Sequence, residues 1–165
     1  MNLSSCGFLP RITEFWPRIA LFLGGSGKNL DSMKKLEHIG IAVRDLAAAT
    51  ELFRNLLSAE PYKEEKVESE GVNTVFFRVG DVKIELLGAL SEASPLNRFL
   101  EHHGQGVHHL AFHTEDISKE ASELASKGFR LTSDSPKDGA DNKLVQFIHP
   151  RSAGGVLVEL CQDKP

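Results

Sequence analysis

The chain carries one strand pattern twice, at residues 38–46 and 109–117. Each copy begins with a histidine, alternates between apolar and mostly small side chains, and has an aspartate and an aliphatic residue at its eighth and ninth positions. Alternation with a period of two residues is typical of a β-strand whose two faces meet different surroundings. The repeat indicates two copies of one supersecondary unit, neither of which can cover its own sheet face alone.

Both copies continue with the same order of elements. Asp45 and Asp116 are suited to cap helices, and apolar residues follow each of them at helical spacing. Further strands are predicted after each helix, at residues 72–79 and 82–87 in the first copy and at 144–148 and 156–161 in the second. We therefore predict an α+β fold of two tandem βαβββ modules, which form a curved mixed sheet with a central metal-binding cleft and helices outside.

The predicted domain covers residues 33–165, with module one at about 36–90, a linker at about 91–105 and module two at about 106–162. Residues 1–32 are predicted to be a flexible, dispensable extension upstream of a start at Met33. Their arginines suit a mitochondrial presequence, whereas Glu14 and Asp31 do not. We predict a cytoplasmic protein, or a mitochondrial matrix protein if residues 1–32 are a presequence.

Composition restricts the classes of function. The formal net charge is −4 and no basic run is present, which argues against binding to nucleic acid. No apolar stretch reaches the length that a membrane span requires. Cys6 and Cys161 have no zinc-site spacing, so we expect free thiols in a reducing compartment.

One carboxylate in each module interrupts an otherwise apolar strand, Glu85 in the first and Glu159 in the second. A carboxylate on an inward face is strongly destabilising unless it is neutralised or bound to a metal. Taken singly, each of these residues is more often structural, but the matching places in two copies favour a shared site. We predict that a divalent ion such as Co, Mn, Ni, Zn or Fe is bound by His38, Glu85, His109 and Glu159.

The connection at residues 149–155 has two interpretations. Arg151 and Ser152 could bind an anion or a carbonyl group, and Gly155 with its neighbouring glycine permits close approach of the backbone. A plain surface loop explains the same residues equally well.

Four segments, at residues 38–43, 83–87, 106–112 and 149–160, resemble the methylmalonyl-CoA epimerase family of the vicinal oxygen chelate superfamily. The resemblance covers about residues 34–162, and the last segment is its most specific part. It implies epimerisation at C2 of an acyl-CoA substrate, methylmalonyl-CoA, by a homodimer. It also implies one divalent metal ion per chain, with cobalt expected and Mn, Ni, Zn or Mg as alternatives.

The implied reaction assigns roles to these residues. A metal that chelates the substrate carboxylate and thioester oxygens would stabilise an enolate, and inversion requires a proton acceptor on each side of C2. Glu85 and Glu159 are the predicted catalytic pair as well as ligands, with Arg151, Ser152 and Gly155 as substrate-binding residues. Some relatives carry a carboxylate where this chain has Thr74, so the identity of both bases stays open.

Other functions occur on the same scaffold. A glyoxalase I-like enzyme would use a similar ligand set on a glutathione adduct, and a non-enzymatic protein would bind a small molecule in the cleft. An extradiol dioxygenase would use two histidines and one glutamate, and the additional carboxylate of Glu85 argues against it.

Overall fold

The computed structural model describes residues 35–165. The predicted extension at residues 1–32, the proposed start at Met33 and the thiol of Cys6 lie outside the described residues. Within residues 35–165, no helix is long and apolar enough to cross a membrane.

The order of elements follows the predicted repeat. The first module contains β1 (Lys35–Ala42), α1 (Leu46–Leu57), β2 (Lys63–Val67), β3 (Val72–Val79) and β4 (Val82–Ala89). After the connecting helix α2 (Pro95–His103), the second module contains β5 (Gly106–His113), α3 (Ile117–Ser126), β6 (Lys137–Asp138), β7 (Lys143–Ile148) and β8 (Val158–Asp163). The predicted α+β fold of two βαβββ modules is confirmed.

All eight strands belong to one mixed sheet with the order β2-β3-β4-β1-β5-β8-β7-β6. The first strands of the two modules, β1 and β5, are antiparallel neighbours at the centre. Each of them also pairs in parallel with the last strand of its own module, β1 with β4 and β5 with β8. The central four strands are therefore those that carry the predicted histidines and glutamates.

The helices α1 and α3 cover the outer face of the sheet. Asp45 and Asp116 cap them as predicted, because their side chains accept hydrogen bonds from the backbone N–H groups of Ala48 and Lys119. α1 packs Leu46, Ala49, Phe53 and Leu57 against a buried cluster of Val75, Phe77 and Leu86. The inner face stays free to form a cleft, one side of which is closed by α2 through Leu96 and Leu100.

The edge strands β2 and β6 were not located from the sequence. β2 reads Lys-Glu-Glu-Lys-Val and β6 has two residues, so neither has an alternating apolar pattern. Charged or very short edge strands are typical of sheets that resist edge-to-edge association.

Polar contacts around Asp141 join the two modules across the cleft. Its carboxylate accepts hydrogen bonds from Tyr62 (3.0 Å), Lys63 (3.3 Å) and Lys83 (2.7 Å), and its backbone N–H donates to Glu65 (2.9 Å). Asp141 has φ +52°, in the left-handed region that aspartate and asparagine tolerate better than most residues. We call Tyr62, Lys63, Lys83 and Asp141 the edge bridge.

Replacing Asp141 with Asn should destabilise the protein by about 1 kcal/mol, because the charge facing the two lysines is lost while the left-handed backbone is tolerated. Chemical denaturation of the full-length variant measures the change in the free energy of unfolding. Asp138→Asn is the matched control, because the Asp138 side chain is largely exposed and, among residues 35–165, forms an ion pair with Lys164 alone. Equal destabilisation by both changes would contradict a specific role for the edge bridge.

Candidate metal centre

The four predicted ligands meet on the inner face of the sheet because of the strand register. Gly40 on β1 pairs with Glu85 on β4 and with His109 on β5. Ala111 on β5 pairs in the same way with His38 on β1 and with Glu159 on β8. Each module thus contributes one small residue, flanked on one side by a histidine and on the other by a glutamate.

The donor atoms of the four side chains converge on one point. The Nε2 atoms of His38 and His109 are 2.9 Å apart, and both lie close to Glu85 Oε2, at 3.3 and 3.4 Å. Glu159 approaches from the other module, with Oε2 3.4 Å from His109 Nε2 and Oε1 3.9 Å from His38 Nε2. All four residues are buried.

These distances suit a shared divalent ion. Ligands bound at about 2.0–2.2 Å in tetrahedral or octahedral geometry lie about 3.0–3.5 Å from one another. The two histidine Nε2 atoms lie 2.9 Å apart, and the oxygens of each carboxylate approach both of them to 3.3–3.9 Å. Two imidazoles and two carboxylates also provide two negative charges, which balance the charge of such an ion. Donor type and spacing therefore both fit the predicted metal.

Gly40 makes room for one ligand. A Cβ atom at this position would lie 2.2 Å from Cε1 of the His109 ring, which is closer than any real contact. The ring is further enclosed by Phe147, whose centroid lies 5.8 Å away at a nearly perpendicular angle. The small residue that the repeat predicts for a cleft is thus required by the packing of His109.

Burial and mutual charge move the pKa values of these groups apart. Burial alone would lower the pKa of His38, but the negative charges of Glu159, Glu37 and Glu85 raise it to about 10. Burial alone would raise the pKa of Glu85, but hydrogen bonds from the two histidines lower it to about 2. Burial raises the pKa of Glu159, and the neighbouring Glu85 adds to the effect.

The sequence analysis missed the residues that contact the other ring nitrogens of the ligands. Glu37 Oε2 lies 2.5 Å from His38 Nδ1, and His108 Nδ1 lies 3.0 Å from His109 Nδ1. Glu37 also accepts a hydrogen bond from Lys83. Strict strand alternation puts Glu37 and His108 on the outer face, so the period-two pattern hid them. The only sequence signal was their equivalent place, directly before each ligand.

The predicted substrate-binding residues lie apart from this centre. Arg151 and Ser152 belong to a short 3-10 helix between β7 and β8, and Gly155 follows it with φ +88°. The Ser152 hydroxyl donates to the His149 carbonyl and accepts from the backbone N–H of Arg130. None of the three is among the residues that line the cleft around the ligands. Their role in binding stays a prediction.

The position that carries a carboxylate in some relatives is buried in the cleft. Thr74 lines it and donates its hydroxyl to the carbonyl of Glu65 at 3.2 Å.

His113 shares a face with His109 in the sequence pattern but lies away from the four ligands. Its Nε2 atom is 3.3 Å from Asp163 Oδ2, near the end of the strand.

The cleft itself encloses about 120 Å³. That volume is about four times the 30 Å³ that one water molecule occupies in the liquid. Beyond the four ligands its walls are mainly apolar. Phe76 on β3 and Phe147 on β7 line it from the two modules, and Leu87 and Leu96 line it near α2. The site therefore has room for a small group next to the donor atoms, within walls that are mainly apolar.

Residues 37–147 match the family profile of the glyoxalase/bleomycin resistance protein/dioxygenase superfamily, which is more than half of the chain. The chain belongs to this superfamily. An ethylmalonyl-CoA/methylmalonyl-CoA epimerase of Cereibacter sphaeroides is 42% identical over 130 residues, 78% of this chain and 97% of that protein. The mitochondrial methylmalonyl-CoA epimerase of Mus musculus is 39% identical over 129 residues, 78% of this chain and 72% of that protein.

Solved structures of superfamily members agree with the fold. The methylmalonyl-CoA epimerase of Mycobacterium tuberculosis superposes with a TM-score of 0.79 at 32% identity, covering 85% of this chain and 95% of that one. A methylmalonyl-CoA epimerase in complex with methylmalonyl-CoA and NH4+ superposes with a TM-score of 0.77 at 33% identity, covering 80% and 96%. The predicted resemblance to this group within the superfamily is thereby confirmed.

Gly40→Ala should weaken the binding of a divalent ion, since the added methyl group displaces the His109 ring from the other donors. We expect a loss of affinity of at least about tenfold, measured by competition between the protein and a chromophoric chelator for Co²⁺. Gly104→Ala is the control: it strains a residue with φ +75° but has no atom within 4 Å of the new methyl group. Native Co²⁺ affinity in Gly40→Ala would contradict the packing argument.

Metal affinity should rise with pH. The pKa of His38 is about 10, so at lower pH a bound ion must displace a proton from this site. For each proton released, the apparent affinity for Co²⁺ should increase about tenfold per pH unit between about pH 6 and pH 9. His102→Gln, at an exposed helix position, should show the same slope as the unchanged protein. An affinity independent of pH would contradict proton displacement.

Proposed function

We propose that this chain catalyses the metal-dependent epimerisation of methylmalonyl-CoA at C2. The observation that carries the proposal is the convergence of two carboxylates on two imidazoles in a buried cleft, with each carboxylate 3.3–3.9 Å from both Nε2 atoms. Relatives at 39–42% identity are epimerases for this type of substrate, and one solved relative holds methylmalonyl-CoA itself.

The site residues have separate roles in the proposed reaction. A divalent ion held by His38, Glu85, His109 and Glu159 would supply a Lewis acid for the substrate's carboxylate and thioester oxygens. The apolar walls formed by Phe76, Phe147 and their neighbours exclude water from the reacting carbon, which strengthens every electrostatic interaction inside the cleft. Epimerisation then requires removal of the C2 proton on one face and its return on the other.

Glu159 and Glu85 are the proposed proton-handling pair, and they differ in basicity. Burial raises the pKa of Glu159, so this carboxylate takes up a proton more readily. Glu85 is held ionised with a pKa of about 2 by the hydrogen bonds from both histidines, and is better suited to binding a metal. The hydroxyl of Thr74 is engaged with a backbone carbonyl and offers no base at neutral pH. We therefore assign the larger share of proton transfer to Glu159.

The size of the cleft fits the reacting part of the substrate. A cleft of about 120 Å³ has room for a small acyl group beside the donor atoms. The CoA portion is expected to extend from the cleft over the surface of the protein. Arg151 is exposed and could pair with a phosphate there, whereas the Ser152 hydroxyl is already engaged with backbone groups.

The test is exchange of the C2 proton. The purified full-length protein is incubated with methylmalonyl-CoA in deuterated water, and the C2 signal is followed by NMR before chelation, after chelation and after cobalt is added back. We expect metal-dependent loss of the signal, no exchange in His109→Ala, and exchange slowed about 10²–10⁴-fold in Glu159→Gln. His102→Ala, at an exposed position on α2 outside the ligand set, is the control and should keep the native rate.

No exchange with cobalt bound would overturn the proposal. The same protein would then be assayed with a glutathione hemithioacetal, the substrate type of a glyoxalase I-like enzyme. Full activity in Glu159→Gln alone would remove Glu159 as a base while the epimerase function stands.

A further inference from the structure

Each predicted ligand histidine follows a β-bulge. Leu36 pairs with Phe112 on β5, but His38 pairs with Ala111, the next residue along, so Glu37 is an extra residue in the ladder. A bulge re-aims the inserted side chain and permits two successive residues to face the same side. Glu37 is accordingly buried against His38 and lines the cleft instead of lying on the outer face.

The second module contains the corresponding irregularity on the opposite strand. Gly40 pairs with His109, whereas Ile41 pairs with Val107, so His108 is the inserted residue of β5. Glu37 and His108 therefore occupy equivalent places in the repeat, directly before His38 and His109. Both inserted side chains line the cleft.

The inserted residues contact the same atom of the two ligands. Glu37 Oε2 lies 2.5 Å from Nδ1 of His38, and His108 Nδ1 lies 3.0 Å from Nδ1 of His109. In both cases Nε2 of the ligand is left facing the other donors. A partner that accepts a hydrogen bond from Nδ1–H fixes both the tautomer and the orientation of a metal-binding imidazole.

We propose that Glu37 and His108 are positioning residues, which hold Nε2 of His38 and His109 as the metal-binding atoms. The proposal rests on the metal site of the proposed function and adds two residues to it. The two partners differ in chemistry: Glu37 presents a carboxylate to His38, whereas His108 presents an imidazole nitrogen to His109.

Two lysines contact Glu37 in addition to His38. Lys83 donates to Glu37 Oε1, and Lys143 Nζ lies 3.3 Å from the same oxygen. The lysines are in turn paired with Asp141 at 2.7 Å and with Asp163 at 2.6 Å. The two lysines thus hold the Glu37 carboxylate in place from the side opposite His38, which restricts the positions that its second oxygen can take beside the imidazole.

The same residues do not form a second metal site. Glu37, His38 and Cys161 have potential ligand atoms within 4.8 Å of one another. The Cys161 thiol, however, donates to the carbonyl of Phe112, and burial raises its pKa. Because the thiol hydrogen is engaged with a backbone carbonyl, we assign Glu37 to the positioning of His38 and not to a separate site with Cys161.

The experiment measures Co²⁺ affinity by chelator competition and the visible absorption of the bound ion. Glu37→Leu should weaken binding about 100-fold, and Glu37→Gln, which keeps an acceptor but not the charge, about tenfold. His108→Leu should also weaken binding about tenfold. All variants should shift the cobalt absorption bands. Glu120→Gln, a buried carboxylate on α3 away from the cleft, is the control and should leave affinity and spectrum unchanged.

Native affinity and spectrum in Glu37→Leu would overturn the proposal for Glu37, and the same result in His108→Leu would overturn it for His108. If Glu37→Leu fails to fold, Glu37→Gln decides, because an affinity within about twofold of native contradicts a tenfold effect. Cobalt binding needs no acyl-CoA. Binding that depends on Glu37 without any exchange at C2 would therefore overturn the proposed function and support the positioning role.

Discussion

Two histidines and two glutamates lie close together at the centre of a single sheet, with each carboxylate 3.3–3.9 Å from both imidazole Nε2 atoms, and the surrounding structure is arranged around their charge. Isolated carboxylates in such a buried place would be strongly destabilising. Here Glu85 is stabilised by two imidazoles, and Glu37 by His38 and two lysines. The clustering is the reason that the four residues suit a divalent ion, and also the reason that their pKa values diverge.

The pairing of β1 with β5 brings this cluster together. Each of the two strands also pairs with the last strand of its own module. Two rows of paired residues therefore cross the centre of the sheet, and each row contains a glutamate, a small residue and a histidine. Helices on the outer face leave the inner face for the cleft. The edge bridge around Asp141 then ties the distant strands β2 and β4 to the turn before β7, so both modules contribute to one enclosed site.

Symmetry of the backbone does not impose symmetry of the chemistry. The two bulges are equivalent, yet one inserts a carboxylate and the other an imidazole. The two glutamates also occupy equivalent places, but their distances to the histidines differ. Glu85 Oε2 is close to Nε2 of both histidines, whereas Glu159 Oε1 is 3.9 Å from His38 Nε2. A reaction that removes a proton from one face of a carbon and returns it on the other needs an unprotonated group on one face and a protonated group on the other, so the unlike surroundings of Glu85 and Glu159 bear directly on the proposed pair.

The module repeat, the helix caps at Asp45 and Asp116, and the four residues that converge could all be predicted from the sequence, because periodicity and matched positions depend only on the order of residues. The side chains that lie behind the ligands could not be predicted in this way. Glu37 and His108 face the cleft because of two bulges in the β1–β5 ladder, and a shift in register between distant strands leaves no periodic trace in either strand. The contacts of Asp141 could not be predicted either, because its partners belong to the other module and only the folded sheet brings them close.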